Sequence, residues 1–269
     1  MIYWNYIRKS LREHAGFILF SWILVGIFQL LMVTLVIEAN ILSLAQVFFN
    51  QFPPMVQQFV SEELLAQFSI GGAVAFGFNH PIVLIVLALV AITLPAKHIA
   101  GEIESGTLEL MLSLPVNRTK LAGSLWVFSA AALLIIISGA WIGSLVGRLF
   151  YPQLGEIPMH RVIWIGLHLW LLMLVINAMA FAASVFSREQ SKVAQRTAGL
   201  ALLLYFLYYA TKFSDSLHPL KYLSLFYYYQ PQEIIFGRIP FWGDILLLSI
   251  TLLLMIGSVY KFKNRGIPG

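Results

Sequence analysis

Residues 97–121 read KHIAGEIESGTLELMLSLPVNRTKL. The stretch is polar, closes its leucine-rich part at a proline, and lies between two long apolar runs. It holds three of the chain's twelve acids, Glu102, Glu104 and Glu109, in a protein that is 59% hydrophobic and 11% charged. Soluble domains carry about 25% charged residues. A mean hydropathy of +0.83 therefore describes a chain whose main solvent is lipid.

The apolar runs on either side set the fold. Ala15–Ile37 is 23 residues without Asp, Glu, Lys or Arg, Leu121–Gly147 is 27, and Val162–Ser187 is 26. A helix of roughly 20 apolar residues crosses the hydrocarbon core. Segments in that core must be helical, because each backbone polar group needs an internal partner. The expected fold is all-α and integral to the membrane, one transmembrane domain over 1–269 with six spans, five or seven being the alternatives. These are about Phe17–Ile37, Pro81–Pro95, Leu121–Gly147, Val162–Phe186, a fifth around Thr197–Thr211, and Phe241–Tyr260. The second is short unless Gly77–Asn79 join it. The fifth has only 15 uncharged residues, so it must start inside SREQSKVAQR (187–196) or continue past Lys212.

The N-terminal MIYWNYIRKSLREH (1–14) is amphipathic at 100° per residue. Tyr3, Tyr6, Ile7, Ser10, Leu11 and His14 share one face, and Arg8, Lys9, Arg12 and Glu13 the other. That pattern predicts an interfacial helix lying in the headgroup plane. Six spans put both termini on one side. The N-terminus, 97–120, 187–196 and the tail then hold twelve of the seventeen Lys/Arg. The loops 38–80, 148–161 and 212–241 hold the other five, and 38–80 holds none. By the positive-inside rule both termini and the 97–120 loop are expected in the cytoplasm, with 38–80 and 212–241 external. The net charge of +5 is thus explained by topology, and no nucleic-acid partner is expected.

Catalytic and cofactor chemistry is not legible. No Cys is present, which excludes disulfides and thiolate metal sites. There is no H-E-x-x-H, no G-x-S-x-G and no Gly-Lys of a P-loop. No catalytic, cofactor-binding or metal-binding residue is expected. The span interiors are expected to hold no Asp, Glu, Lys or Arg, which argues against an ion-coupled transporter. Their polar side chains are Gln29, Asn177, His168 and several Ser/Thr. His168 is expected to hydrogen-bond a neighbouring helix. Any work this chain performs needs energy from another polypeptide.

Within the opening stretch, Gly101 and Gly106 are expected to interrupt the helix, and Thr107 to cap the start of a new one. Leu108–Leu114 then makes about two turns, stopped by Pro115. Asn117 or Thr119 would cap the third span. A short helix this rich in Leu either docks in a groove on a soluble partner or lies on the bilayer.

The segment GEIESGTLELMLSLPVNRTKL (101–121) resembles the loop between the second and third spans of type-2 ABC exporter permeases. There an acidic segment, Gly-Thr-Leu-Glu, a leucine-rich turn, Pro and a basic residue form the coupling helix. The N-terminus with Arg8 and Arg12 is similar to that family's elbow helix. SLFYYYQPQEIIFGR (224–238) is similar to its external segment between the fifth and sixth spans. The resemblance implies half of a transporter, with two permease chains (homodimer or heterodimer) each bound to a cytosolic ABC ATPase, in a prokaryotic plasma membrane. Carried over by position, Glu102, Glu104, Gly106, Thr107, Leu108, Glu109, Leu112, Pro115 and Arg118 would form the ATPase-facing connection. The second cytoplasmic loop departs from the pattern, since Glu189 is its only acid. The alternative is a membrane anchor that recruits an ATPase without transporting. Gly139, Gly143 and Gly147 recur every fourth residue and predict a close helix contact, either between permeases or within the chain.

Overall fold

The computed structural model describes residues 3–39, 69–107 and 117–264, and these are helical with no strand among them. Five helical stretches are long and apolar enough to cross a membrane: Trp4–Glu38, Ile70–Glu104, Arg118–Phe150, Met159–Phe186 and Phe241–Asn264. A further long helix, Gln190–Phe213, has 24 residues. At 1.5 Å per residue it is about 36 Å long, enough to span. Its Lys192, Arg196 and Lys212 shorten the apolar part. It both starts inside 187–196 and runs past Lys212.

We label the helices α1 (Trp4–Glu38), α2 (Ile70–Asn79), α3 (Pro81–Pro95), α4 (Arg118–Phe150), α5 (Met159–Phe186), α6 (Gln190–Phe213), α7 (Pro231–Ile235) and α8 (Phe241–Asn264). The most enclosed is α5, with 67% of its apolar window buried, against 22% for α1 and 28% for α8. The bundle therefore wraps around α5, and α1, α6 and α8 form its outside.

Three expectations are corrected. The segment 1–14 is not a separate interfacial helix, because α1 runs unbroken from Trp4 to Glu38. No proline or cap separates the two parts. The buried stripe Ile7, Ser10, His14, Ile18, Ser21, Val25, Gln29 and Val33 continues straight through. The second span does not begin at Pro81. It starts at Ile70, where Ser69 accepts a hydrogen bond from Gly72 N, and is only jointed at His80. That residue is extended (φ −67°, ψ 138°) and accepts from Ile82 N through Nδ1. The external loop assigned to 38–80 thus loses 69–80 to this helix, while 40–68 lie outside the described residues. Nor does the span end at Pro95, since a π-helical turn (Ala96–Gly101) and a last α-turn (Glu102–Glu104) extend it.

The passage through Pro95 has an identifiable repair. Proline has no N–H, so the carbonyl four residues back loses its helical partner. That carbonyl belongs to Ala91, and the fully buried Asn177 of α5 donates to it through Nδ2 at 2.9 Å. Replacing Asn177 with Leu is expected to cost about 1–2 kcal/mol. In a Pro95→Ala background the backbone regains its own donor, and the cost should shrink by about 1 kcal/mol. Thermal denaturation in detergent of the two single variants and the double variant measures this. Strictly additive losses would contradict it.

The glycine stripe of α4 lies against α1 of the same chain. A Cβ at Gly139 would meet the carbonyl oxygen of Trp22, and one at Gly143 the carbonyl oxygen of Gly26. Trp22 Nε1 donates to Ser138 Oγ at 3.0 Å. Beside the stripe the buried Gln29 donates through Nε2 to Val74 O (3.1 Å) and Ser144 Oγ (3.2 Å), joining α1, α2 and α4.

Candidate functional site at the end bearing the termini

Gly106 has φ +72°, the left-handed region that favours glycine. It ends the second long helix, and its N–H donates to Ile103 O at 3.1 Å. Gly101 does not interrupt the helix. It lies in the π-helical turn, where a Cβ would come 2.9 Å from Gln190 Oε1. The Thr107 hydroxyl turns back rather than forward. It donates to the carboxylate of Glu102 and contacts Ser105 Oγ at 2.8 Å. Ser105 Oγ in turn donates to Gly101 O at 2.9 Å. The turn at 101–107 is thus closed on itself by short side chains. Leu108, Glu109, Leu112 and Pro115, the centre of the expected coupling helix, lie outside the described residues.

Glu104 reaches across to the next turn of chain at this end. Its Oε2 accepts from Gln190 N at 2.9 Å, so a carboxylate caps the first turn of α6. An anion there satisfies a free helix N–H and complements the helix dipole. Just behind it, buried Ala96 and Ala100 pack on Val193 of α6. Glu189, the one acid of 187–196, is engaged by Lys192 at 2.5 Å. The turn before α6 is therefore braced against the end of the second long helix.

On the far side of 107–117 the chain is tied again. Asn117 Oδ1 accepts from Thr119 N (3.0 Å) and Lys120 N (3.2 Å), capping α4, whose first residue is Arg118. Asn117 N donates to Tyr3 Oη at 3.0 Å, and Tyr3 N donates to Ser124 Oγ at 2.7 Å. The start of α1 thereby grips the start of α4.

Deeper, α1 meets the π-helical turn through a cluster that sequence reasoning did not assemble. Tyr6 Oη and His98 Nδ1 are 2.9 Å apart, and the His14 and His98 rings are centred 5.0 Å apart with Phe128 beside both. His14 Nδ1 lies 3.0 Å from Ser10 O, which places its proton there and leaves Nε2 to accept from Lys97 Nζ at 3.4 Å. The face of 1–14 carrying Tyr6, Ile7, Ser10 and His14 was legible as a face. Protein covers it, not headgroups.

At the opposite end, His168 of α5 does find a helix partner, but that partner is Asp244, 2.5 Å away in the first turn of α8. The expectation of acid-free spans is corrected here, since Asp244 falls inside the predicted sixth span. His168 is almost fully buried, so the carboxylate follows the general rule that charge within a membrane protein is paired. Tyr229, whose ring is centred 6.5 Å from His168, is buried in the segment before α8. Burial pushes its hydroxyl well above the ordinary phenol value.

No group of three or more His, Cys, Asp or Glu that could hold a metal ion occurs among the described residues. No curated protein and no solved structure matches this chain. The model of the family described as ABC-2 family transporter protein matches residues 2–265. With several apolar helices long enough to cross a membrane, that match covers nearly the whole sequence, and the chain belongs to the ABC-2 transporter family.

Proposed function

We propose that the chain is the membrane subunit of an ATP-driven exporter, working as a dimer of permeases and coupled to a separate cytosolic ATPase through residues 101–118. Membership of the ABC-2 family supports the permease assignment, because members normally pair with a cytosolic ABC ATPase. In this reading α6 is the fifth of six spans, and the end bearing the termini is cytoplasmic, in keeping with its twelve Lys/Arg. The membrane is the plasma membrane of a prokaryote.

The observation that carries the coupling role is the double anchoring of the 107–117 connection. One flank is fixed to α6 through Glu104 and Gln190 N, the other to α1 through Asn117 N and Tyr3 Oη. A displacement of the connection would reach α1, α4 and α6 together instead of bending a free loop. Elements with packed, discrete contacts pass on such a displacement. Glu102, Glu104, Gly106, Thr107 and Arg118 shape this base, while Leu108, Glu109, Leu112 and Pro115 would meet the ATPase. The turn at 187–189 and the start of α6 support the base from behind and leave the ATPase contact to the first loop. Large exposed apolar side chains on α1 (Phe20, Ile23, Ile27) and α6 (Leu203, Phe206) suit a second permease at those two helices.

Co-expression of the chain with a candidate partner ATPase tests this. The two should purify together in mild detergent, and membrane vesicles containing both should show ATP-dependent transport. Co-purification with ATP hydrolysis but no transport of any cargo tried would favour a recruiting anchor. Absence of any stable ATPase complex would overturn the coupling role.

A further inference from the structure

We propose that a groove between α4 and α8, at the end bearing the termini, holds one glycerophospholipid with an anionic headgroup. This rests on the proposed cytoplasmic placement of that end, and not on the coupling role of 101–118. The groove has a volume of about 440 Å³, in the range that accepts a small amphipathic molecule. Its walls are Gly123 and Trp126 of α4 with Met255, Ile256 and Val259 of α8. Gly123 makes the space, since a Cβ there would meet nothing within 4 Å.

Two features select the occupant. The walls are apolar, and Ile256 is 67% exposed, so the groove opens on the outside of the bundle, where an acyl chain is the available apolar partner. Among the described residues the one charged side chain lining it is Lys263, one residue before the end of α8, so the polar end of the groove is positive. Basic pockets between spans on the cytoplasmic side recognise anionic headgroups.

Native mass spectrometry of the purified protein, exchanged into detergent with equal phosphatidylglycerol and phosphatidylcholine, tests the site. One tightly retained lipid is expected, with phosphatidylglycerol preferred about fivefold, the ratio given by one lysine near a headgroup. Lys263→Gln should bring that ratio to about one while a lipid is still retained. Gly123→Trp should fill the groove and lose the retained lipid. Equal retention of both lipids by the parent, or an unchanged preference in Lys263→Gln, would overturn the proposal. So would undiminished retention in a folded Gly123→Trp protein. Loss of dimer in Lys263→Gln would assign the groove to a second copy and overturn it as well.

Discussion

Replacing Gly106 with proline is expected to reduce ATP-driven transport at least tenfold while the chain still inserts, folds and resists heat much as the parent does. The expectation rests on backbone geometry alone. Gly106 has φ +72°, and proline locks φ near −65°. The substitution also removes the N–H that donates to Ile103 O and pushes Ser105 out of its helical conformation. A Cβ at this position would meet no atom within 4 Å, so no packing clash accompanies the change. The damage is therefore confined to the direction in which the chain leaves the second long helix towards 107–117. A graded series separates conformation from other causes. Asn tolerates the left-handed region and should transport nearly as well as Gly, whereas Ala carries a cost of about 1–2 kcal/mol and should fall between. Val should be worse than Ala. Transport assayed in vesicles alongside thermal stability in detergent reads the series. Parental transport by Gly106→Pro would sink the coupling role of this turn, whatever the ATPase does.

Much of this architecture is legible in the sequence because lipid leaves the backbone few choices. Charge-free runs of 23 to 27 residues have no alternative to a helix; α1 and α4 contain theirs whole, and α5 all of its run but the capping Ser187. The boundaries of the second span were less legible for a specific reason. Pro81 and Pro95 read as ends, yet one opens a helical segment whose cap is His80, and the other is carried inside a helix because Asn177 takes the stranded carbonyl. That repair depends on a residue 86 positions away, which no local pattern contains. The same holds for His168 and Asp244. Each was visible, but their pairing across α5 and α8 is a tertiary fact. At the candidate site the turn residues Gly106 and Asn117 were readable from their own chemistry. The bond from Gln190 N to Glu104 was not, because an acid in a polar stretch carries no mark of which helix end it will cap.

The largest stability effect is expected at the glycine stripe, from Gly143→Leu. Gly139, Gly143 and Gly147 occupy one face of α4, and the α1 backbone lies directly on the first two. A Cβ at Gly143 would run into the Gly26 carbonyl oxygen and come 3.2 Å from Gln29 Cβ. A carbonyl cannot swing aside as a side chain can, so the two helices must separate along their length. Overpacking a close contact costs about 1–3 kcal/mol, and the backbone obstacle here points to the upper end of that range. Separation would also strain the hydrogen bonds that sit on the same interface, from Trp22 to Ser138 and from Gln29 to Ser144. Gly147→Ala is the internal control, because the nearest atoms there are the ends of Leu154 (3.2 Å) and Leu30 (3.6 Å), which can yield. It should lose far less. The readout is thermal denaturation in detergent together with the oligomeric state by cross-linking. A melting temperature that falls for Gly143→Leu, with the dimer intact, places the stripe inside one chain. A variant that loses its dimer while each chain stays as heat-resistant as the parent would move the stripe to the permease–permease contact and contradict the α1–α4 packing described here.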